Sequence, residues 1–210
     1  GSLNFEDAVK LVKKRGTYME EAVPKGLGTM AAILGLEGEI LRQICVDCSS
    51  FGIVEVANYN SPGQIVIAGE VETLKRASEM AIEKGAKRVI PLKVSGPFHT
   101  SMLKEASEKL SKELQGVKVN TMNIPVVTNV TGSYINKKED IKEFLIKQVR
   151  SSVRWEDTIK TMVKNGVDTF VEIGPGKALS GFVKRVDRKV NIINVEDIKS
   201  LEKAIEYFKS

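Results

Sequence analysis

The stretch NYNSPGQIVIAG at residues 58–69 contains the information that decides the fold. Residues 54–59 and 64–69 are rich in β-branched and apolar side chains, which favours two strands. The four residues between them, Asn60 to Gly63, include Ser, Pro and Gly, which are typical of a turn. This part of the chain is therefore predicted to be a pair of strands joined by a short turn.

The segments on either side of this pair repeat a helix-and-strand pattern. Residues 37–49 and 71–84 carry apolar side chains at helical spacing, and residues 29–36 and 88–94 read as strands. The resulting order over residues 28–95 is β-α-β-β-α-β, which is the signature of a ferredoxin-like unit.

The rest of the chain is predicted to form a second α/β unit. Residues 5–22 read as a helix, and after residue 100 helices and strands alternate, which indicates a parallel sheet covered on both faces. The apolar run at residues 124–129 predicts a buried strand of that sheet. With only three strands (124–129, 169–173 and 191–195), the sheet is thin and we expect it to need further strands.

The predicted fold class is therefore α/β. A partial, α/β-hydrolase-like parallel-sheet subdomain comprises residues 1–27 and 96–210. A ferredoxin-like βαββαβ subdomain, residues 28–95, is inserted into it.

Composition narrows the function classes. The chain has 210 residues, is 42% hydrophobic and carries a net charge of +5. It has no apolar run of about 18 residues that could span a membrane and no basic-then-apolar leader, so it is predicted to be cytoplasmic. The mild basic excess fits nucleic acid, CoA phosphates or an acidic carrier protein as partner.

No metal or redox cofactor is expected from the cysteines. Cys45 and Cys48 lie in a predicted helix, and a zinc site would need four ligands whereas the sequence has one histidine. We interpret the two thiols as structural core residues.

Arg15 is the first candidate functional residue. On the helix over residues 5–22 it points into the apolar stripe that runs from Phe5 and Ala8 to Met19 and Ala22. A buried guanidinium requires an anion, and Arg binds carboxylates with two parallel hydrogen bonds. From the sequence alone, an ion pair within the protein or a side chain that reaches the surface is the favoured explanation of this pattern.

His99 is the second candidate. It follows a predicted buried strand and precedes a helix, in VSGPFHT at residues 94–100, and such strand ends open onto the binding crevice of α/β sheets. A helix N-terminus would keep the imidazole neutral and able to act as a base. For a lone histidine, bonding only to the backbone is by itself the more common case. The turn EIGPGK at residues 172–177 could receive a phosphate, although close strand–helix packing is the favoured interpretation.

Taken together and in order, the segments resemble those of malonyl-CoA:acyl-carrier-protein transacylases. The similarity covers essentially the whole chain. It rests on Arg15-Gly16 with Met19, GTMAAILGL at 28–36, NYNSPGQIVIAG at 58–69, VSGPFH at 94–99, Gln148, VRW at 153–155 and EIGPG at 172–176.

This resemblance implies a ping-pong acyl transfer in which malonyl passes from CoA to a serine and then to the phosphopantetheine thiol of acyl carrier protein. It implies no cofactor besides the substrate malonyl-CoA, and no nucleic acid or membrane partner. His99 would be the base, held by the backbone carbonyl of Gln148, and Arg15 would bind the malonyl carboxylate. Phe98 resembles the residue of malonyl-selective members, and Asn58, Asn60 and Asn129 fall in matching segments that line the pocket.

The sequence departs from the family pattern in one respect. It contains no G-x-S-x-G nucleophile elbow, which the family carries in its first third. We therefore expect the chain alone not to turn over malonyl-CoA. The sequence is compatible with a monomer.

Two other classes of function remain open at this point. A non-catalytic scaffold for acyl carrier protein would keep the fold without turnover. An RNA-binding module would use the sheet of a ferredoxin-like unit, although Tyr59 is the only aromatic residue in the four predicted strands. A methylmalonyl donor is a third possibility, which Phe98 argues against. Fatty-acid synthesis is the expected pathway, with polyketide synthesis as the alternative.

Overall fold

A computed structural model describes residues 1–209 and shows an α/β chain with mixed sheets. No helix within residues 1–209 is long and apolar enough to cross a membrane. The helices are Phe5–Glu21 (α1), Gly38–Cys48 (α2), Val71–Glu83 (α3), Lys104–Gln115 (α4), Asp140–Lys147 (α5), Trp155–Lys164 (α6), Ala178–Val186 (α7) and Ile198–Lys209 (α8). The strands are Gly28–Leu34 (β1), Val54–Ser61 (β2), Gln64–Glu70 (β3), Arg88–Pro91 (β4), Val127–Thr128 (β5), Ser133–Tyr134 (β6), Thr169–Ile173 (β7) and Asn191–Val195 (β8).

The first four strands form one antiparallel sheet in the order β2-β3-β1-β4. The β-α-β-β-α-β order predicted from the sequence is present. The turn after β2 is closed by Gly63, whose φ of 69° is in the left-handed region that glycine adopts without a steric penalty. β4 ends at Pro91, earlier than predicted.

The two faces of this sheet pack against different partners. On one face Ile33, Ile67 and the helices α2 and α3 form the largest buried cluster. On the other face, small side chains such as Ala32, Ala57 and Ala68 leave room for Phe98, which follows β4 in the chain. The alternation of side chains along each strand thus separates a helix-covered face from a face that supports the segment around His99.

Helix α1 packs mainly on α4, and its buried face is only partly the predicted one. Met19 of the predicted stripe is buried, together with Leu11, against Leu103 and Leu110, whereas Phe5, Val9 and Val12 of that stripe are exposed. The apolar residues of α1 span more than one face of the helix, and only the face turned towards α4 is covered in the structure.

The prediction of one parallel sheet in the second half of the chain was wrong for residues 124–129. Only β5 is a strand there, and it pairs with β6 in an antiparallel hairpin closed by the Gly132 amide on the Thr128 carbonyl at 2.9 Å. Ile124 is 75% exposed, so the expected buried strand is also wrong. Pro125 has no amide proton to contribute to a ladder, which limits pairing at this end.

β7 and β8 are the parallel strands of this region, in register from Thr169 with Asn191 to Ile173 with Val195. They form a separate two-stranded sheet. Ile173 at its end is 80% exposed, so the pair is not covered on both faces as predicted.

Candidate active site

His99 lies in a tight turn between β4 and α4. It is the one residue other than glycine with a positive φ, 63°, within residues 1–209. Such backbone costs on the order of 1–3 kcal/mol and persists only where surrounding contacts hold it. One of these contacts is internal to the turn, since the buried Thr100 hydroxyl donates to the Pro97 carbonyl at 2.7 Å.

The imidazole of His99 is bound to the backbone of another segment. Its Nδ1 lies 3.1 Å from the Gln148 carbonyl oxygen. Because a carbonyl can only accept, Nδ1 donates and carries the proton in the neutral ring, which leaves the Nε2 lone pair available. The hydrogen bond required by the predicted role of Gln148 is therefore present.

The Gln148 carbonyl is free to accept because of where α5 ends. α5 ends at Lys147, and Gln148 is its C-cap. The last carbonyls of a helix have no intrahelical donor, so they bind other groups. The end of α5 thus supplies the acceptor for His99.

Burial sets the protonation state of the ring. It lowers the pKa of His99 below its ordinary value, and the positive charge of Arg15 lowers it further. The backbone carbonyl of Gln148 and the backbone of Ser151 raise this pKa, but less than burial lowers it. His99 is therefore a neutral imidazole at neutral pH, as a base requires.

Arg15 is half-buried and has no anionic partner. Its Nε is buried without a hydrogen bond, and none of residues 1–209 forms an ion pair with it. Burial lowers the pKa of the guanidinium, which nevertheless stays charged. Of the alternatives left open by the sequence, an internal ion pair is excluded for the described residues.

Two small cavities meet at Gln148. One, of about 100 Å³, is lined by Arg15 and by leucines of α1, α4 and α5. The other, of about 240 Å³, is lined by Asn129 and the β5–β6 hairpin. Gln148 lines both, so the residue whose carbonyl binds His99 borders the cavity of Arg15 and the cavity of Asn129.

Phe98 packs against two separate clusters of buried residues. Its ring packs against the helical cluster of α1 and α4 and also against the small-residue face of the first sheet. This position fixes the residue next to His99 between two cores.

Asn58 and Asn60 lie on β2, and neither lines the two cavities around Gln148. Asn58 forms a parallel bridge with Val153, and the amide of the next residue, Arg154, donates to the Asn129 carbonyl at 2.8 Å. Backbone pairing thus connects Asn58 to Asn129, while the role of both asparagines in the pocket stays a prediction.

The sequence gives no indication of a role for Ser151. It acts on His99 through its backbone, and a backbone group leaves no signal in the residue type. Only the three-dimensional proximity of residues 148–151 to the turn identifies it.

The two other motifs have structural roles. Cys45 and Cys48 are free and buried, and burial raises the pKa of Cys45 to about 12, which confirms that they are core residues. At the turn of residues 172–177 the Glu172 carboxylate accepts from the amides of Leu179 and Ser180 at the start of α7, so these amides already have an anionic acceptor of the protein's own. No group of three or more potential metal ligands occurs within residues 1–209.

Comparison with known proteins identifies the family. The acyl transferase domain model matches residues 1–204. The malonyl CoA-acyl carrier protein transacylase of Bacillus subtilis (strain 168) is 49% identical over 210 residues, which cover 100% of this chain and 66% of that protein. The chain therefore spans just under two thirds of the length of this relative.

Solved structures of similar proteins indicate the same family. The malonyl CoA-acyl carrier protein transacylase of Clostridium perfringens is 51% identical with a TM-score of 0.96, over 100% of this chain and 66% of that one. A malonyl-transacylase in complex with its type II PKS acyl-carrier protein is 40% identical with a TM-score of 0.95, over 99% and 67%. The chain belongs to the acyl transferase domain family.

Proposed function

We propose that this chain forms the part of a malonyl-CoA:acyl-carrier-protein transacylase that carries the base and the carboxylate-binding arginine. One observation carries the proposal: His99 is held by the Gln148 carbonyl with Nε2 free, near the half-buried Arg15, whose buried Nε has no hydrogen bond. A base and an unpaired cation side by side suit an acyl donor with a free carboxylate.

In this proposal Nε2 of His99 takes the proton from the hydroxyl of a serine that is not part of this sequence. The serine oxygen attacks the thioester carbonyl, the C–S bond breaks, and the imidazolium gives the proton to the departing CoA thiolate. The carrier-protein thiol then loses its proton to His99 and its sulfur attacks the acyl-serine ester. The ester C–O bond breaks, and the imidazolium gives the proton to the serine oxygen, which regenerates the serine. Gln148 stabilises the imidazolium in both halves through its carbonyl.

Arg15 accounts for the choice of malonyl. A planar guanidinium binds a carboxylate with two hydrogen bonds, and its buried Nε gains a partner only when an anion is present. Phe98, fixed between two cores, restricts the space beside the base and would exclude an α-methyl group. Asn58, Asn60 and Asn129 complete the pocket in this proposal.

The partners follow from the same assignment. The substrates are malonyl-CoA and acyl carrier protein, and the net charge of +5 suits both, because CoA phosphates and an acidic carrier are anionic. A related transacylase has been solved with its acyl-carrier protein. We further propose a cytoplasmic, monomeric enzyme in which a ferredoxin-like subdomain (28–95) is inserted into a larger α/β subdomain (1–27 and 96–210).

The test uses the chain alone and a chimera. In the chimera, this chain replaces the 66% of the Bacillus subtilis relative that it matches, so that the relative supplies the remainder. Malonyl transfer is measured as the mass gain of holo acyl carrier protein. We expect transfer by the chimera and none by the chain alone.

Two variants of the chimera separate chemistry from folding. His99→Ala should lower the transfer rate by about 10²–10⁴-fold, the usual contribution of a general base. Glu79→Ala changes an exposed residue outside the site and should leave the rate unchanged. A folded chimera that transfers no malonyl, or one that is indifferent to His99→Ala, would contradict the proposed function.

A further inference from the structure

The cap of the helix that follows His99 is unusual. Thr100 is in the N-cap position of the helical turn Ser101–Leu103, which continues into α4, but its side chain makes no capping bond. Its hydroxyl donates instead to the Pro97 carbonyl, and this closes the turn that contains His99. The first amide of the helix therefore needs an acceptor from elsewhere.

Glu55 on β2 supplies that acceptor. One carboxylate oxygen accepts from the Ser101 amide at 2.9 Å, and the other accepts from the Ser101 hydroxyl. Hydrogen bonds to an ionised carboxylate are among the stronger ones, and an anion is favoured at a helix N-terminus. The residue two positions after His99 is thus held by both carboxylate oxygens.

The same strand also holds the segment that binds the imidazole. The Ser152 hydroxyl donates to the Val56 carbonyl, and the Val153 amide donates to the Ala57 carbonyl at 2.8 Å. Residues 55–57 of β2 therefore bind the turn of His99 on one side and the segment after Gln148 on the other. One strand is thus bonded both to the turn that carries the ring and to the segment next to its acceptor carbonyl.

We propose that Glu55 is a positioning residue, whose carboxylate on Ser101 holds the strained turn of His99 so that Nδ1 meets the Gln148 carbonyl. The left-handed backbone at His99 is unfavourable in isolation, and a residue other than glycine keeps it only where neighbouring bonds enforce it. Glu55 contributes two such bonds. The effect of Glu55 on catalysis rests on the proposed function, whereas its hold on the turn of His99 does not.

The sequence offers a site-specific probe, because His99 is its only histidine. The ¹⁵N chemical shifts of the imidazole report which nitrogen carries the proton. In the 210-residue chain we expect the Nδ1–H tautomer to predominate. In Glu55→Ala the turn should relax and the ratio of Nδ1–H to Nε2–H should fall severalfold, with Ser101→Ala and Glu55→Gln giving smaller shifts in the same direction.

Glu79→Ala is the matched control, because it removes an exposed glutamate from α3 without a hydrogen bond to lose. It should leave the tautomer ratio as in the parent chain. If Glu55→Ala fails to fold, Glu55→Gln and Ser101→Ala carry the test. An unchanged tautomer ratio in the folded variants would overturn the proposal.

The chimera gives the kinetic readout. Glu55→Ala should lower kcat about tenfold, equivalent to about 1.4 kcal/mol, and leave KM for malonyl-CoA within about twofold. If Glu55→Ala shifts the tautomer ratio of His99 but the parent chimera transfers no malonyl, the positioning role of Glu55 stands and the proposed function is rejected. An active chimera with an unmoved tautomer and unchanged kcat would reject the role of Glu55 alone.

Discussion

Replacing Arg15 by Met should stabilise the free chain while abolishing its affinity for a carboxylate. The guanidinium borders a cavity of about 100 Å³ lined mostly by leucines, including Leu11, Leu110 and Leu145. Its buried Nε has no hydrogen bond. A Met side chain can fill the same space without a polar atom that lacks a partner.

The magnitude follows from the burial. A buried donor without a partner costs about 1–3 kcal/mol, and because Arg15 is only half-buried the lower end applies. We therefore expect Arg15→Met to raise the free energy of unfolding by about 1 kcal/mol, or the Tm by about 2–4 °C for a chain of this size. The assay is urea denaturation followed by circular dichroism.

Lys13→Met is the control, because Lys13 is exposed on the same helix and makes no ion pair with residues 1–209. It should change stability by less than about 0.5 kcal/mol. Malonate at ten times its Kd should stabilise the parent chain by about 1.4 kcal/mol relative to chloride at equal ionic strength, and Arg15→Met not at all. A loss of more than about 1 kcal/mol in Arg15→Met would show that the guanidinium has a structural partner and would refute the reasoning.

Three further outcomes are expected. Gly69→Ala should lower the free energy of unfolding by about 1–3 kcal/mol in urea denaturation, because the new Cβ would overlap the Ile53 carbonyl oxygen. The control Gly16→Ala has free space on α1 and should raise the free energy of unfolding by about 0.5–1 kcal/mol. Equal effects of the two changes would contradict the packing at Gly69. Phe98→Ser in the chimera should raise the rate with methylmalonyl-CoA relative to malonyl-CoA, and an unchanged ratio would show that Phe98 does not set donor choice. Burial lowers the pKa of His99, so the unfolded chain takes up this proton at a higher pH than the folded chain does. The free energy of unfolding should therefore fall as the pH drops below the ordinary pKa of histidine, and it should fall by less in His99→Gln. The same pH dependence in both proteins would contradict this reasoning.

Local patterns in the sequence determined much of the fold. The helix periodicity and the turn residues located β1 to β4 with α2 and α3 in the order that the structure shows, because short-range preferences and connections fix an antiparallel unit of this size. His99 and Arg15 were also identifiable, the first as a lone histidine after a strand and the second as a charge on an apolar helix face.

Other features depend on contacts between distant segments. The apolar run at residues 124–129 predicted a buried strand, yet Ile124 is exposed and β5 pairs with β6, since burial depends on which layer covers a strand. Likewise α1 buries Leu11 rather than Val12, because its apolar residues span more than one face and the contact with α4 selects one.

In the candidate site, too, some features follow from the sequence and others only from the tertiary structure. The sequence determined which side chains could act as base and as carboxylate ligand, because that chemistry belongs to the residue type. The tertiary structure decided their state: the end of α5 frees the Gln148 carbonyl, burial keeps His99 neutral, and Glu55 holds the turn from a strand 46 residues away. These effects arise from backbone groups and from proximity in space, which no residue type encodes.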